Sequence, residues 1–248
     1  MSRHYGQQIR FGPPLTPVVK KLLIANIAIH IGIIILRNIS PESVLWIYHH
    51  FALIPDRFLF YQGFTYAFLH DSIGHLFWNM IALWIFGSEV EGMWGRRPFW
   101  LFYLLCALGG AIGVLLKGDV NIVIGSSGAV LGLVVAYGML FSERPISLLF
   151  PPVTIKAKWI AIGWALIDLL VYLEGARGFA YFAHLGGMLT AFLYIKSPWK
   201  FSPSTSMRVG GLSLKDHLRR WKTKRILRVI QDKDKEQEEK EKRGPTFH

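Results

Sequence analysis

The chain has a single cysteine, Cys106, so no intramolecular disulfide is available and no cysteine cluster can hold zinc or an iron–sulfur centre. Its nine histidines include no His-Glu-x-x-His pair, and neither a metal nor a cofactor is expected. Charge is also scarce. Only 18% of residues are charged, against roughly 25% in ordinary soluble domains, which is too little to wet a soluble surface. Acidic residues number 16 against 28 Lys and Arg, for a net charge of +12. That excess invites a nucleic-acid reading, but no recognition motif accompanies it, and no nucleic-acid partner is expected. Fifteen of the 28 basic residues lie from Lys196 onward. A basic tail after an apolar span reads as positive-inside sorting and attraction to anionic lipid.

What is present in quantity is apolar sequence, 52% of the chain. Six segments approach the roughly 20 residues that a bilayer-spanning helix needs. They run from about Val18 to Leu36, Thr65 to Gly87, Pro98 to Leu116, Ser126 to Phe141, Ala157 to Leu173, and Phe179 to Ile195. The first follows Pro13, Pro14 and Pro17 with no small-residue cleavage site after it, and reads as a retained span. The connection from Arg37 to Phe64 carries Trp46, Tyr48, Phe58 and Phe60 but is too broken to cross, so it reads as a half-embedded interfacial segment. With the N-terminus cytoplasmic, 24 Lys and Arg fall on that side and four on the other. This favours six spans with both ends cytoplasmic, an arrangement that suits a bacterial inner membrane.

The expected organisation is a cytoplasmic segment 1–17, a six-helix membrane domain 18–196, and a basic cytoplasmic tail 197–248. In the tail, Leu214, Leu218, Trp221, Leu227 and Ile230 recur at roughly helical spacing among lysines and arginines, the pattern of an amphipathic helix on a membrane surface. From Gln231 to Arg243 charges alternate with no apolar member, which predicts a solvated, poorly ordered end.

Polar groups inside the apolar segments are costly and mark functional sites. Gly125, Ser126, Ser127 and Gly128 lie in a run of 23 uncharged residues, Val120 to Ser142. His75 and Asn79 stand four apart, on one helix face, and His184 follows Ala183 in the sixth segment. Ser127 near the outer end of the fourth span and His184 about one and a half turns into the sixth are at comparable depth. Gly128 and Gly132 with Gly187 and Ala191 form small-residue patterns that permit close helix approach. The inventory is that of a serine hydrolase: Ser127 as nucleophile, His184 as base, and Asn79, His75 and the Ser127 backbone N–H as oxyanion donors.

Taken jointly, these residues resemble the rhomboid intramembrane serine proteases over roughly Phe58 to Ile195. The motif residues are Phe64 through His70, His75 with Asn79, Glu91 through Phe99, Gly125 with Ser127 and Gly128, and Ala183 with His184 and Gly187. The resemblance implies an all-α six-helix bundle and a Ser127–His184 dyad without an acidic third member. It also implies hydrolysis of peptide bonds in or beside transmembrane segments of membrane proteins. Several positions depart from the pattern. Tyr61 and Gln62 stand where many members have Trp-Arg, and Tyr66 where bacterial members commonly have histidine. Leu131 stands where an aromatic residue often lies beneath the catalytic histidine. Ser126 is a decoy for the nucleophile, Glu91 is expected to brace the turn with Arg96 and Arg97, and Asp168 is expected to be structural or gating. Two rival readings are a relative that only binds transmembrane helices and a small transporter using the same polar residues as a pathway.

Overall fold

The computed structural model describes residues 12–117, 122–147, 153–174 and 181–197, and the backbone of 208–209 and 212–213. The chain divides into a mostly helical unit, Met1–Phe201, and a second unit, Ser202–His248. In the first unit, α1 (Pro17–Ile39) opens with proline in its first turn, where a missing N–H costs nothing. It stops because Pro41 drives Ser40 out of the helical region, to φ −149° and ψ 85°. The same proline begins α2 (Pro41–Phe51), which buries Val44 and exposes Leu45 and Trp46. After a 3-10 turn at Pro55–Arg57 comes α3 (Gln62–Thr65), with Gln62 buried and tied to the Leu59 N–H at 3.2 Å and the His50 carbonyl at 3.1 Å.

The second apolar segment differs from its expected limits at both ends. Its helix, α4, spans Ile73–Ala82 and starts eight residues after Thr65, because Ser72 caps it by accepting the His75 N–H at 3.2 Å. It then runs without a break through a π-helical turn, Leu83–Gly87, into α5 (Ser88–Trp94). Gly87 does not end it. Gly95, at φ 85°, does.

Next come α6 (Arg96–Lys117) and α7 (Ser127–Leu140), then a short antiparallel pair, β1 (Pro145–Ser147) with β2 (Thr154–Lys156). The last two helices are α8 (Ala157–Leu173) and α9 (Tyr181–Lys196). Helices α1 and α6 are each long and apolar enough to cross a bilayer. The centre of the unit is α7, buried on nearly every side from Gly128 to Gly138 and packed against α6, α8 and α9. By contrast α8 leaves Trp159, Trp164, Leu166, Ile167 and Leu170 exposed, a surface suited to hydrocarbon.

Glu91 is only 3% exposed, and its hydrogen bonds run to the start of α1 where a brace to Arg96 and Arg97 was expected. Its carboxylate accepts from Thr16 Oγ1 at 2.5 Å, from the Val18 N–H at 3.0 Å and from the Val19 N–H at 2.9 Å. An anion therefore caps the positive end of α1, and the expected turn brace is corrected to a helix cap. Beyond the bundle, Glu143 pairs with Lys156 at 2.8 Å and Lys158 at 2.5 Å, tying the end of α7 to the start of α8.

In the second unit, β3 (Arg208–Val209) pairs antiparallel with β4 (Leu212–Ser213). The expected amphipathic helix and the polar end from Gln231 to Arg243 lie outside the described residues.

Candidate active site

Ser127 is the first residue of α7, and the chain leading to it is held on two sides. Leu53 and Val123 exchange backbone hydrogen bonds at 3.0 and 2.9 Å, and the Gly125 N–H donates to the Tyr66 carbonyl at 2.9 Å. Gly125 itself has φ 117°, a backbone state that L residues rarely adopt. A Cβ there would also meet the His75 ring, 2.7 Å from Nε2. The glycine before the serine pair thus serves both a left-handed turn and the close approach of an imidazole.

Helix α9 reaches Ser127 through glycine. A Cβ on Gly187 would lie 2.6 Å from the Gly128 carbonyl carbon, and one on Gly128 would lie 2.7 Å from the Ala183 oxygen. Gly132 faces Cys106 and the Gly187 carbonyl. The small-residue patterns on α7 and α9 do meet, and a third helix joins them. Gly109, Gly110 and Gly113 on α6 abut Gly186, Ala183 and Phe182 of α9. That α6 contribution was legible as a run of glycines in an uncharged segment, but spacing alone did not say which helix it faces.

The result is a hydrogen bond of 2.8 Å between Ser127 Oγ and His184 Nε2. On the other side of the ring, His184 Nδ1 lies 2.9 Å from both carboxylate oxygens of Asp168, on α8. Both side chains of that pair are 14% exposed. Sequence reasoning left Asp168 outside the site, as structural or gating, and expected no acid beside the imidazole. The structure differs, because α8 crosses α9 so that residues 16 apart meet.

The expected oxyanion residues are gathered nearby but are otherwise engaged. Asn79 Nδ2 donates to the His75 carbonyl at 2.9 Å, within α4. His75 Nδ1 lies 2.9 Å from Asp71 Oδ1. A carboxylate there accepts from Nδ1–H, so Nε2 beside Gly125 is a donor only in the doubly protonated ring. The Ser127 N–H lies in the first turn of α7, where helical amides have no intrahelical acceptor. Ser126 is fully buried, with Oγ 3.3 Å from His70 Nε2 and not directed to His184.

The departures from the family pattern also find places. The Tyr66 hydroxyl donates to the Ala107 carbonyl of α6 at 2.8 Å, over Gly110. Leu131 packs with Val134, Ala161 and Met188. No group of three or more potential metal ligands occurs among the described residues.

Fold and site together define a helical bundle with a serine–imidazole pair between two closely packed helices. The rhomboid domain model matches residues 57–200, more than half of the sequence, and the chain belongs to the rhomboid family. It is 32% identical over 138 residues to rhomboid protein 1, mitochondrial, of Saccharomyces cerevisiae, covering 52% of this chain and 39% of that protein. It is 36% identical over 137 residues to RHOMBOID-like protein 6, mitochondrial, of Arabidopsis thaliana, covering 52% and 40%. A longer match, 197 residues at 28% identity, joins it to RHOMBOID-like protein 12, mitochondrial, of the same plant, covering 70% and 56%. The chain thus spans about two fifths to just over half the length of these relatives. Family membership makes it an integral membrane protein.

Proposed function

We propose that this protein is an intramembrane serine endopeptidase that cleaves peptide bonds in or next to transmembrane segments of other membrane proteins. The observation that carries this reading is the 2.8 Å contact between Ser127 Oγ and His184 Nε2. Ser127 attacks the scissile carbonyl carbon while its proton passes to His184 Nε2, giving a tetrahedral intermediate. The imidazolium then protonates the leaving amine as the C–N bond breaks, leaving an acyl-enzyme. Water, deprotonated by the same nitrogen, attacks the ester and frees Ser127. Asn79, His75 and the Ser127 N–H are the assigned oxyanion donors, which asks Asn79 and His75 to turn from their present partners.

On this reading α1, the α4-to-α5 helix, α6, α7, α8 and α9 are six spans with both ends on the cytoplasmic side. The charge count supports the orientation, and the bacterial inner membrane is the compartment it suits; the relatives named above are mitochondrial proteins. Helix α7 has 14 residues and rises about 21 Å, against about 30 Å of hydrocarbon. Ser127 then begins about 10 Å beneath the outer surface, in a recess that water reaches from that side. Substrate helices with weak helical propensity are favoured, since carbonyls in an intact helix are already paired. The basic tail is assigned to anionic lipid.

The test is cleavage of a transmembrane reporter by purified protein in lipid vesicles, with fluorophosphonate labelling in parallel. Ser127→Ala and His184→Ala are expected to abolish cleavage, and Ser127→Ala to abolish labelling. Cleavage that survives Ser127→Ala removes the assignment.

A further inference from the structure

We infer that Asp168 is a positioning residue for the His184 base, so that the site works as an acid–imidazole–alcohol relay in place of a bare pair. The inference rests on the protease reading above and deepens it. Three observations converge. Asp168 presents both carboxylate oxygens to His184 Nδ1 at 2.9 Å, and the opposite ring nitrogen is 2.8 Å from Ser127 Oγ. The pair is largely withdrawn from solvent, with each side chain 14% exposed. Leu131, where an aromatic residue often supports the histidine, packs instead with Val134, Ala161 and Met188.

The chemistry has one direction. An ionised carboxylate only accepts, so the proton of a neutral His184 must sit on Nδ1. Nε2 then carries a lone pair aimed at Ser127, the tautomer a general base requires. When Nε2 takes the serine proton, the imidazolium that forms lies against an anion. Asp168 gains no proton and touches no reacting atom. It fixes the tautomer and ring plane and stabilises the charge that develops. Ser127 from α7 and Asp168 from α8 face the two ring nitrogens of His184.

The experiment compares wild type, Asp168→Asn and Asp168→Glu in lipid vesicles, measuring kcat and KM for reporter cleavage. Asp168→Asn is expected to lower kcat by roughly 10²-fold or more with KM within about twofold. Asp168→Glu, which keeps the anion, should recover part of kcat. A merely structural residue would show no such split between kcat and KM, and no recovery of kcat in Asp168→Glu. If Asp168→Asn fails to fold, the wild-type protein with ¹⁵N-labelled imidazoles decides the matter by NMR. The Nδ1–H tautomer at His184 supports the relay, and the Nε2–H tautomer overturns it. Asp168→Asn with wild-type kcat, alongside inactive Ser127→Ala, overturns this inference alone. Cleavage by Ser127→Ala removes the protease reading, while the tautomer measurement still reports on Asp168.

Discussion

The contact between α7 and α9 lends itself to a sharp perturbation, Gly187→Ala. An added Cβ would stand 2.6 Å from the Gly128 carbonyl carbon, where ordinary contact begins at 3.4 Å. The Gly128 carbonyl oxygen would be nearer still, so the two backbones must part by more than about 0.8 Å, since neither atom is the loose end of a flexible side chain. Carried fully into the site, that displacement stretches the Ser127–His184 contact from 2.8 Å to about 3.6 Å, where the hydrogen bond is lost. A misplacement near 1 Å costs on the order of 10² in rate, and overpacking costs roughly 1–3 kcal/mol of stability. The comparison is Gly163→Ala on α8, where a Cβ meets nothing within 4 Å. That variant should keep its rate within about twofold and gain up to about 1 kcal/mol from helix propensity. Both are assayed by reporter cleavage well below the melting temperature and by thermal unfolding in the same lipid. A Gly187→Ala protein with a wild-type rate would refute the claim that glycine packing sets the distance. So would an equal loss in Gly163→Ala.

Two further outcomes follow from the capping and loop contacts. Glu91→Ala strips the carboxylate from the α1 N-terminus and should lower stability by roughly 2–3 kcal/mol, read as a fall in melting temperature; Glu91→Gln, which keeps an acceptor, should lose less. Glu143 is held down to about 2 by its hydrogen bonds to Lys156 and then Lys158. Its folded value lies below its ordinary one, so its contribution is full above the unfolded carboxylate range and is lost as pH falls through about 2. Limited proteolysis between α7 and α8 should rise as pH falls through that window, and Glu143→Gln should show the raised susceptibility at neutral pH.

Much of this protein could be read from residue order alone, because the signals are local. Long apolar runs place α1, α6 and α8 within a few residues, and a glycine–serine–glycine stretch marks the start of α7. Ser127 and His184 were legible since polar groups in apolar segments are few, and the small residues beside them say that helices approach closely. What periodicity cannot carry is which faces meet. The crossing of α8 over α9 puts Asp168 on His184, and the fold delivers Glu91 to the amides of α1, 72 residues from Val19. The α6 glycines face α9, and Ser72 moves the start of α4 past the apolar residues before it. Each of these depends on crossing angle and depth, which are settled when whole helices pack and every buried donor and acceptor must find a partner.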